Sequence, residues 1–325
     1  MIINNLFVKN NLAFKLFPSA TEFYLKKISS NILNQLFFEI CKKFSVKNFI
    51  DCGANIGDSS LVALNKGFNV IAIEPNPHTF KNMIVKPCKK FTKINIGLGD
   101  KDSVLKLYFP KHFITAGYSS FLKPLKSNNL FEKLGTTEYA EISVTTLDKL
   151  NKNLKINKNR FALWIDVEGM QKEVLIGAKK LLNVKNCKVI KIEVDRNKTF
   201  KEQGWAVDEI QNYLNNQGYE AIFRDFEYLD LFNIIFIKKK DKYLCETEIN
   251  KSLNKVYKNI TLFKVIKYWF HKKIIRKFFL NILPRTLKKI ILMIFGLKKG
   301  NAITKLLGSK SSKNYLKISK KKSFD

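Results

Sequence analysis

The sequence predicts an α/β fold: a Rossmann-like, seven-stranded and mostly parallel sheet with an antiparallel edge hairpin, followed by a basic helical C-terminal extension. Three observations point there. Short apolar runs rich in β-branched residues alternate with helical segments through the first 240 residues. Asp51-Cys52-Gly53-Ala54-Asn55-Ile56-Gly57-Asp58 joins the first of these runs to a helix, and the next apolar run ends on Glu74-Pro75. The last two strand candidates are separated only by residues 225–230, too few for a helical crossover, so they are expected to pair antiparallel at one edge of the sheet.

Residues 1–45 form a helical preamble whose best segment is 32–44. The sheet domain occupies 46–240. Its strands are expected at 46–52, 69–73, 93–97, 161–167, 189–194, 219–224 and 231–238, with a hairpin strand at 104–109. Helices are expected at 58–66, which Gly67 stops, and at 77–85, 170–182 and 205–217. Residues 112–138 carry Gly117, Pro124, Gly135 and many polar side chains with little periodicity, so they read as a loop or lid over the carboxyl ends of the strands.

From residue 241 the character changes, and 241–325 is a basic extension. Between Lys251 and Phe324 there is no acidic residue. Residues 262–280 and 287–297 can be written as basic amphipathic helices suited to anionic lipid or to packing on a protein surface, and the tail after Leu307 has the composition of a disordered segment. The longest apolar stretch there, 290–297, is too short to span a bilayer.

Composition narrows the classes further. A chain of 325 residues with 46% hydrophobic content can bury a large core. The five cysteines are odd in number and irregularly spaced, which suits reduced thiols in a cytoplasmic setting, and the first 20 residues lack the architecture of a cleaved signal peptide. A formal charge of +32 invites a nucleic-acid partner, yet nearly all the surplus is Lys, and recognition of phosphate or guanine by a planar fork favours Arg.

Gly53 and Gly57 let the backbone turn tightly into a helix, and Glu74 lies where a carboxylate accepts both hydroxyls of an adenosine ribose. A dinucleotide site wants a third glycine where Asn55 stands. Asp51 repels a pyrophosphate but suits an ammonium and a sulfonium, so S-adenosylmethionine (SAM) fits better than NAD.

Further segments fall into one pattern. Asn95-Ile-Gly-Leu-Gly-Asp100, Ala116-Gly-Tyr-Ser-Ser-Phe121 and Val144-Thr-Thr-Leu-Asp148 precede Leu163-Trp-Ile-Asp-Val-Glu-Gly-Met-Gln-Lys-Glu-Val-Leu-Ile-Gly-Ala178 and Lys188-Val-Ile-Lys-Ile-Glu-Val194. With the glycine turn and Glu74-Pro-Asn-Pro77, these resemble the FkbM family of SAM-dependent methyltransferases over about residues 47–195. The resemblance implies a class I methyltransferase fold and methyl transfer, most often to a hydroxyl of a sugar or other natural product. Asp51, Gly53, Asn55 and Gly57 match the family's methionine-side loop, Glu74 its ribose ligand, and Asp166, Glu168 and Gly169 its signature after the fourth strand. Trp164 stands where many members have Lys, and Gln171 where an acid is common.

Residues two apart in a strand point the same way, so Asp166 and Glu168 are expected to converge at the carboxyl end of their strand. Asp166 would face the reacting end of the cofactor and Glu168 would orient or deprotonate the acceptor. Both could alternatively hold a Mg²⁺ ion, although nothing in the sequence supports a metal and none is assigned. His112 is the best histidine candidate for a base, and Asp100 is placed to accept from the adenine amino group. His78 could cover the adenine; Tyr118, Ser119 and Ser120 suit a polyhydroxyl acceptor. Glu193 could contact substrate, cap a turn or pair with Arg196.

The expectation is thus a cytoplasmic methyltransferase acting on a sugar or cell-surface glycan precursor, with peripheral contact at the inner face of an anionic membrane. The alternative is a nucleic-acid- or membrane-associated protein with a SAM-binding domain and a basic tail.

Overall fold

The computed structural model describes residues 18–110, 119–123, 137–196, 202–226, 230–260 and 265. The chain divides into two compact units, of which one includes Leu25–Asn259 and the other Leu12–Tyr24 and Ile260–Asp325. Helix α1 (Pro18–Lys43) leads into β1 (Asn48–Cys52), α2 (Asp58–Asn65), β2 (Asn69–Ile73), α3 (Pro77–Lys81), β3 (Phe91–Ile94), β4 (Gly97–Leu98), β5 (Ser103–Pro110) and β6 (Thr137–Thr145). Then follow α4 (Leu147–Leu154), β7 (Phe161–Ile165), α5 (Gln171–Gly177), α6 (Lys179–Asn183), β8 (Cys187–Asp195), α7 (Val207–Asn216), β9 (Tyr219–Arg224), β10 (Leu231–Lys238) and α8 (Glu246–Asn259).

Seven strands form one sheet in the order β3-β2-β1-β7-β8-β10-β9. The first five are parallel, and β10 runs antiparallel to both β8 and β9. This is the expected fold class, a class I methyltransferase sheet with its antiparallel edge hairpin. The chain builds outward from β1 to β3 and returns on the other side at β7, so the order reverses between β1 and β7. Such a reversal leaves a crevice at the carboxyl ends of the two strands, where open α/β sheets bind ligands.

The burial pattern of the strands explains the layering. β1 and β7 are buried along their whole length, as central parallel strands must be. Ile50, Leu163, Ile190 and Ile192 face one core together with Val174 and Leu175 of α5, Leu182 of α6 and Ile210 and Leu214 of α7. Phe49 and Trp164 face the opposite way, where Phe37 and Phe38 of α1 meet them edge-on or stacked at 5.2–6.1 Å. Burying each of these rings is worth about 1.5–3 kcal/mol, and aromatic geometry adds about 0.5–1.5 kcal/mol per pair. α1 is therefore part of the packed unit through its second half.

Several boundaries differ from expectation for identifiable reasons. The strand expected at 161–167 ends at Ile165, because Glu168 (φ 46) and Gly169 (φ 97) adopt left-handed backbone that no strand accommodates. The strand expected at 93–97 is β3 at 91–94, and Gly97–Leu98 turns away to join a second, three-stranded sheet ordered β4-β6-β5. Within that sheet β6 was not anticipated: it starts in the last two residues of the expected lid, runs on to Thr145 and pairs antiparallel along all of β5. The expected helix at 77–85 closes at Lys81, where the Asn82 side chain donates to the His78 carbonyl. The helix expected at 170–182 is broken at Ala178 into α5 and α6. Residues 112–118 and 124–136 of the lid, the amphipathic segments 262–280 (apart from Val265) and 287–297 and the C-terminal tail lie outside the described residues. Among the described residues, no helix is long and apolar enough to cross a membrane.

Candidate active site

The crevice opens where the glycine turn after β1, the end of β2 and the turn after β7 meet. Gly53 has φ +84, and a Cβ built on it would lie 1.8 Å from the Asp166 carbonyl oxygen. Only glycine lets the two strand ends close together there. Asn55 is itself left-handed at φ 50, which aims its backbone N–H at Glu74 Oε2, 2.7 Å away. The other carboxylate oxygen of Glu74 accepts from the Asn76 N–H at 2.8 Å. Asn95 Nδ2 bridges the Glu74 and Pro75 carbonyls at 2.8 and 3.0 Å, and so fixes the backbone on which this acid stands. Burial pushes the Glu74 carboxyl up to about 7, against the pull of the two N–H donors, while Asp51 and Asp166 reinforce the rise.

Asp51 sits beneath this turn with no exposure, and it is absent from the cleft wall that Gly53, Asn55 and Glu74 help to form. Its Oδ2 accepts from both Ser59 and Ser60 of α2 at 2.6 Å, while Oδ1 finds no hydrogen-bond donor among the described residues. Burial holds its carboxyl at about 6 although the two serines pull it down. Gly57 (φ +89) is the left-handed residue at the start of α2, behind the turn.

Asp166 and Glu168 do converge, but through the left-handed turn rather than through strand alternation. Together with Glu193 of β8 they place carboxylate oxygens within 4.8 Å of one another. Asp166 and Glu168 line the cleft; Glu193 is buried behind them at 8% exposure. Burial and mutual repulsion raise the carboxyls of Glu168 and Glu193 well above the ordinary range. Burial also raises Asp166, which Lys191 and a hydrogen bond with Glu193 partly restrain. Lys191 is itself buried, with Nζ 3.3 Å from the centre of the Trp164 ring.

The remaining wall is apolar, formed by Ile96, Leu98, Leu107 and Phe121. Residues 119–123 close over it. Ser120 exchanges backbone hydrogen bonds with Tyr108 at 2.8 and 3.0 Å, and its hydroxyl donates to the Glu168 carbonyl at 2.6 Å. Ser119 Oγ accepts from Asn76 Nδ2 at 2.7 Å.

Asp51, Gly53, Asn55, Glu74, Asp166 and Glu168 thus gather around one crevice. Asp100 is not part of its wall; it is exposed on the turn before β5, with Glu173 as a charged neighbour. His78 is exposed and meets the Phe109 ring edge-on. His112 and Tyr118 lie outside the described residues. Glu193 turns to Asp166, whereas Arg196 faces Asp230 at 3.9 Å.

Three contributors escaped the sequence reading. Asn76 caps α3 through its side-chain oxygen just ahead of Pro77, a signature visible in Glu-Pro-Asn-Pro. Lys191 is a charge set between Ile190 and Ile192 with Glu193 two residues on in the same strand, a pattern that itself signals a paired burial. Asn95 carried no separable signal.

None of the curated proteins compared with the chain matches it. Among solved structures, a TehB-like SAM-dependent methyltransferase from Corynebacterium glutamicum is similar at 10% identity and a TM-score of 0.32, covering 68% of this chain and 100% of its own. A putative S-adenosylmethionine-dependent methyltransferase from Listeria monocytogenes is similar at 10% identity and a TM-score of 0.33, covering 68% and 99%. A Haloferax volcanii complex of the Trm112 methyltransferase activator with a putative methyltransferase gives 8% identity, a TM-score of 0.30 and coverage of 67% and 97%. The assignment rests on sequence: residues 51–221, over half of the chain, match the model of the methyltransferase FkbM domain. The chain belongs to that family of SAM-dependent methyltransferases.

Proposed function

We propose that the protein methylates a hydroxyl oxygen of a sugar or cell-surface glycan precursor, using the crevice between β1 and β7. One observation carries this reading. A buried carboxylate suited to a ribose, Glu74, shares a single cleft with the acid pair Asp166 and Glu168.

The residues present fit SAM. Glu74 offers two carboxylate oxygens at the end of β2, each holding one backbone N–H and retaining capacity for a hydroxyl. Gly53 lies in the cleft wall and, lacking a Cβ, lets the turn after β1 pack directly on the Asp166 carbonyl. Asn55 Oδ1, on a residue of the cleft wall, is buried without a donor among the described residues, as expected of an acceptor awaiting a cationic or N–H-bearing group. The apolar wall of Ile96, Leu98 and Phe121 suits a flat heterocycle.

When bound, SAM supplies an electrophilic methyl group: the new O–C bond forms as the C–S bond breaks and its electron pair returns to sulfur. The protein's part is to hold the acceptor oxygen in line and take its proton. Carboxyls raised by burial toward neutrality are better proton acceptors than ordinary ones, and Asp166 and Glu168 are of that kind. Asp166, whose backbone N–H is fixed on the Cys52 carbonyl at 2.9 Å, is the rigid member; Glu168, on the left-handed turn, orients the acceptor. Ser119 and Ser120 give the acceptor end further hydroxyls.

Incubation with methyl-labelled SAM and cell-envelope extract tests the reading. The expected result is label in a saccharide as a base-stable ether. Label confined to protein or nucleic acid would overturn it. Asp166→Asn and Glu168→Gln should each lower kcat at least 100-fold with S-adenosylhomocysteine affinity kept; undiminished turnover in both would remove the acid pair from the chemistry.

The composition of the extension favours a companion element of this proposal, peripheral contact with an anionic membrane. Residues 251–324 contain no acid, in a chain of net charge +32.

A further inference from the structure

We infer that Asp166, Glu168 and Glu193 form a binding site for a hard divalent cation such as Mg²⁺ or Mn²⁺. Its position at the acceptor end of the cleft rests on the function proposed above; the site itself does not. The three carboxylates come from two neighbouring strand ends, with one oxygen of each within 4.8 Å of the others. Two oxygens that share one ion can stand at most about twice a metal–oxygen bond apart, roughly 4–5 Å for Mg²⁺ through Ca²⁺. Only one pair in a set of three can stand at that trans limit, so the carboxylates draw together by up to about 1 Å to hold a Mg²⁺ or Mn²⁺ ion.

A second, independent feature points into the same space. Glu193 is 8% exposed, its carboxylate belongs to the group, and its Oε2 has no hydrogen-bond donor among the described residues. A buried carboxylate oxygen left without a donor is costly, and a bound cation satisfies it. The neighbouring cation, Lys191, supplies a single positive charge to three carboxylates and rests on the Trp164 ring. The donor set is entirely oxygen, without His or Cys, which selects Mg²⁺, Mn²⁺ or Ca²⁺ over zinc or copper. Asp166 and Glu168 border the cleft, so an ion held there is open on one side to an acceptor hydroxyl. Coordination of that hydroxyl would lower its pKa and fix it in line, leaving the proton to a cluster oxygen or to water.

The test is a titration of the full-length, chelator-treated protein with Mn²⁺ in the absence of SAM, following the electron paramagnetic resonance signal of free Mn²⁺. One ion per chain is expected, displaced by excess Mg²⁺, with affinity at least tenfold weaker in Glu193→Gln and in Glu168→Gln. Glu168 borders the cleft, so its variant supplies the comparison if Glu193→Gln misfolds. Wild type binding Mn²⁺ no more tightly than the folded variants overturns the site. Calorimetry with S-adenosylhomocysteine on the same samples separates the two readings. Heat from the nucleoside without Mn²⁺ binding rejects the cation site alone, and Mn²⁺ binding without nucleoside heat rejects the cofactor assignment alone.

Discussion

Glu74 concentrates the electrostatic problem of the site in one side chain. Its carboxyl is raised to about 7, first by burial and then by Asp51 and Asp166, although two backbone N–H groups favour its charged form. In the proposed cofactor site, ribose hydroxyls would donate to the ionised carboxylate, so ligand binding would select the deprotonated state. The ionised fraction grows as pH rises through about 7, and affinity for S-adenosylhomocysteine is therefore expected to increase from pH 6 to pH 8, by up to about tenfold per unit on the acid side. Glu74→Gln should bind at least tenfold more weakly at pH 8 and lose the pH dependence. Calorimetry across that range checks both; a flat wild-type profile would show that the acid is already fully ionised at pH 6. The same linkage acts on the stability of the free protein with the opposite consequence. An acid whose pKa is raised on folding stabilises the native state below its unfolded value and loses that contribution as pH climbs through its folded one.

The element that closes the cleft is the short segment 119–123, and its hold depends on Ser120. One hydroxyl donates to the Glu168 carbonyl and accepts from the Leu122 N–H at 3.0 Å, while the backbone pairs with Tyr108 of β5. Removing that hydroxyl leaves the carbonyl of a left-handed residue without its donor. Ser120→Ala is expected to cost about 1–2 kcal/mol of stability, to raise the KM of the acceptor several-fold and to leave S-adenosylhomocysteine affinity unchanged. An equal loss of nucleoside affinity, measured beside the melting temperature, would show that the segment belongs to the cofactor side instead. This side of the cleft was legible in the sequence only in part. Gly53, Asn55, Gly57 and Glu74 could be named because a tight turn and a strand-ending acid are local patterns. The β5–β6 pairing is non-local, with its partner strand hidden at the end of a stretch of Gly, Ser and Thr. Yet Ala140, Ile142 and Val144 alternate with Glu141 and Ser143, and that period of two was the missed signal. The meeting of Glu193 with Asp166 depends on the register between β7 and β8, where Ile165 lies opposite Ile192, and a single sequence does not disclose register. Asp100 shows the converse: an acid after a strand fits the site pattern, but the turn into β5 carries it to the surface.

At the scale of the whole molecule, charge is sorted by place. Five of the 27 acidic residues are drawn in around the crevice, Glu74, Asp166 and Glu168 in its wall and Asp51 and Glu193 buried behind it. The remaining acids face 59 Lys and Arg side chains, so the outer field is more one-sidedly positive than the net +32 alone conveys. A glycan precursor on a lipid carrier would sit at an anionic surface, and a positive exterior brings an acid-lined cleft to it without neutralising the cleft. Each Lys or Arg near such a surface contributes about 1 kcal/mol, and the attraction fades within a Debye length of about 10 Å at 0.1 M salt. The full-length protein is therefore expected to co-sediment with vesicles containing phosphatidylserine and not with phosphatidylcholine alone, and to be released at least tenfold between 0.05 and 0.5 M salt. Equal binding to neutral vesicles would replace the electrostatic account with an apolar one. Retention on DNA with no vesicle binding at matched salt would move the basic surface to a nucleic-acid partner.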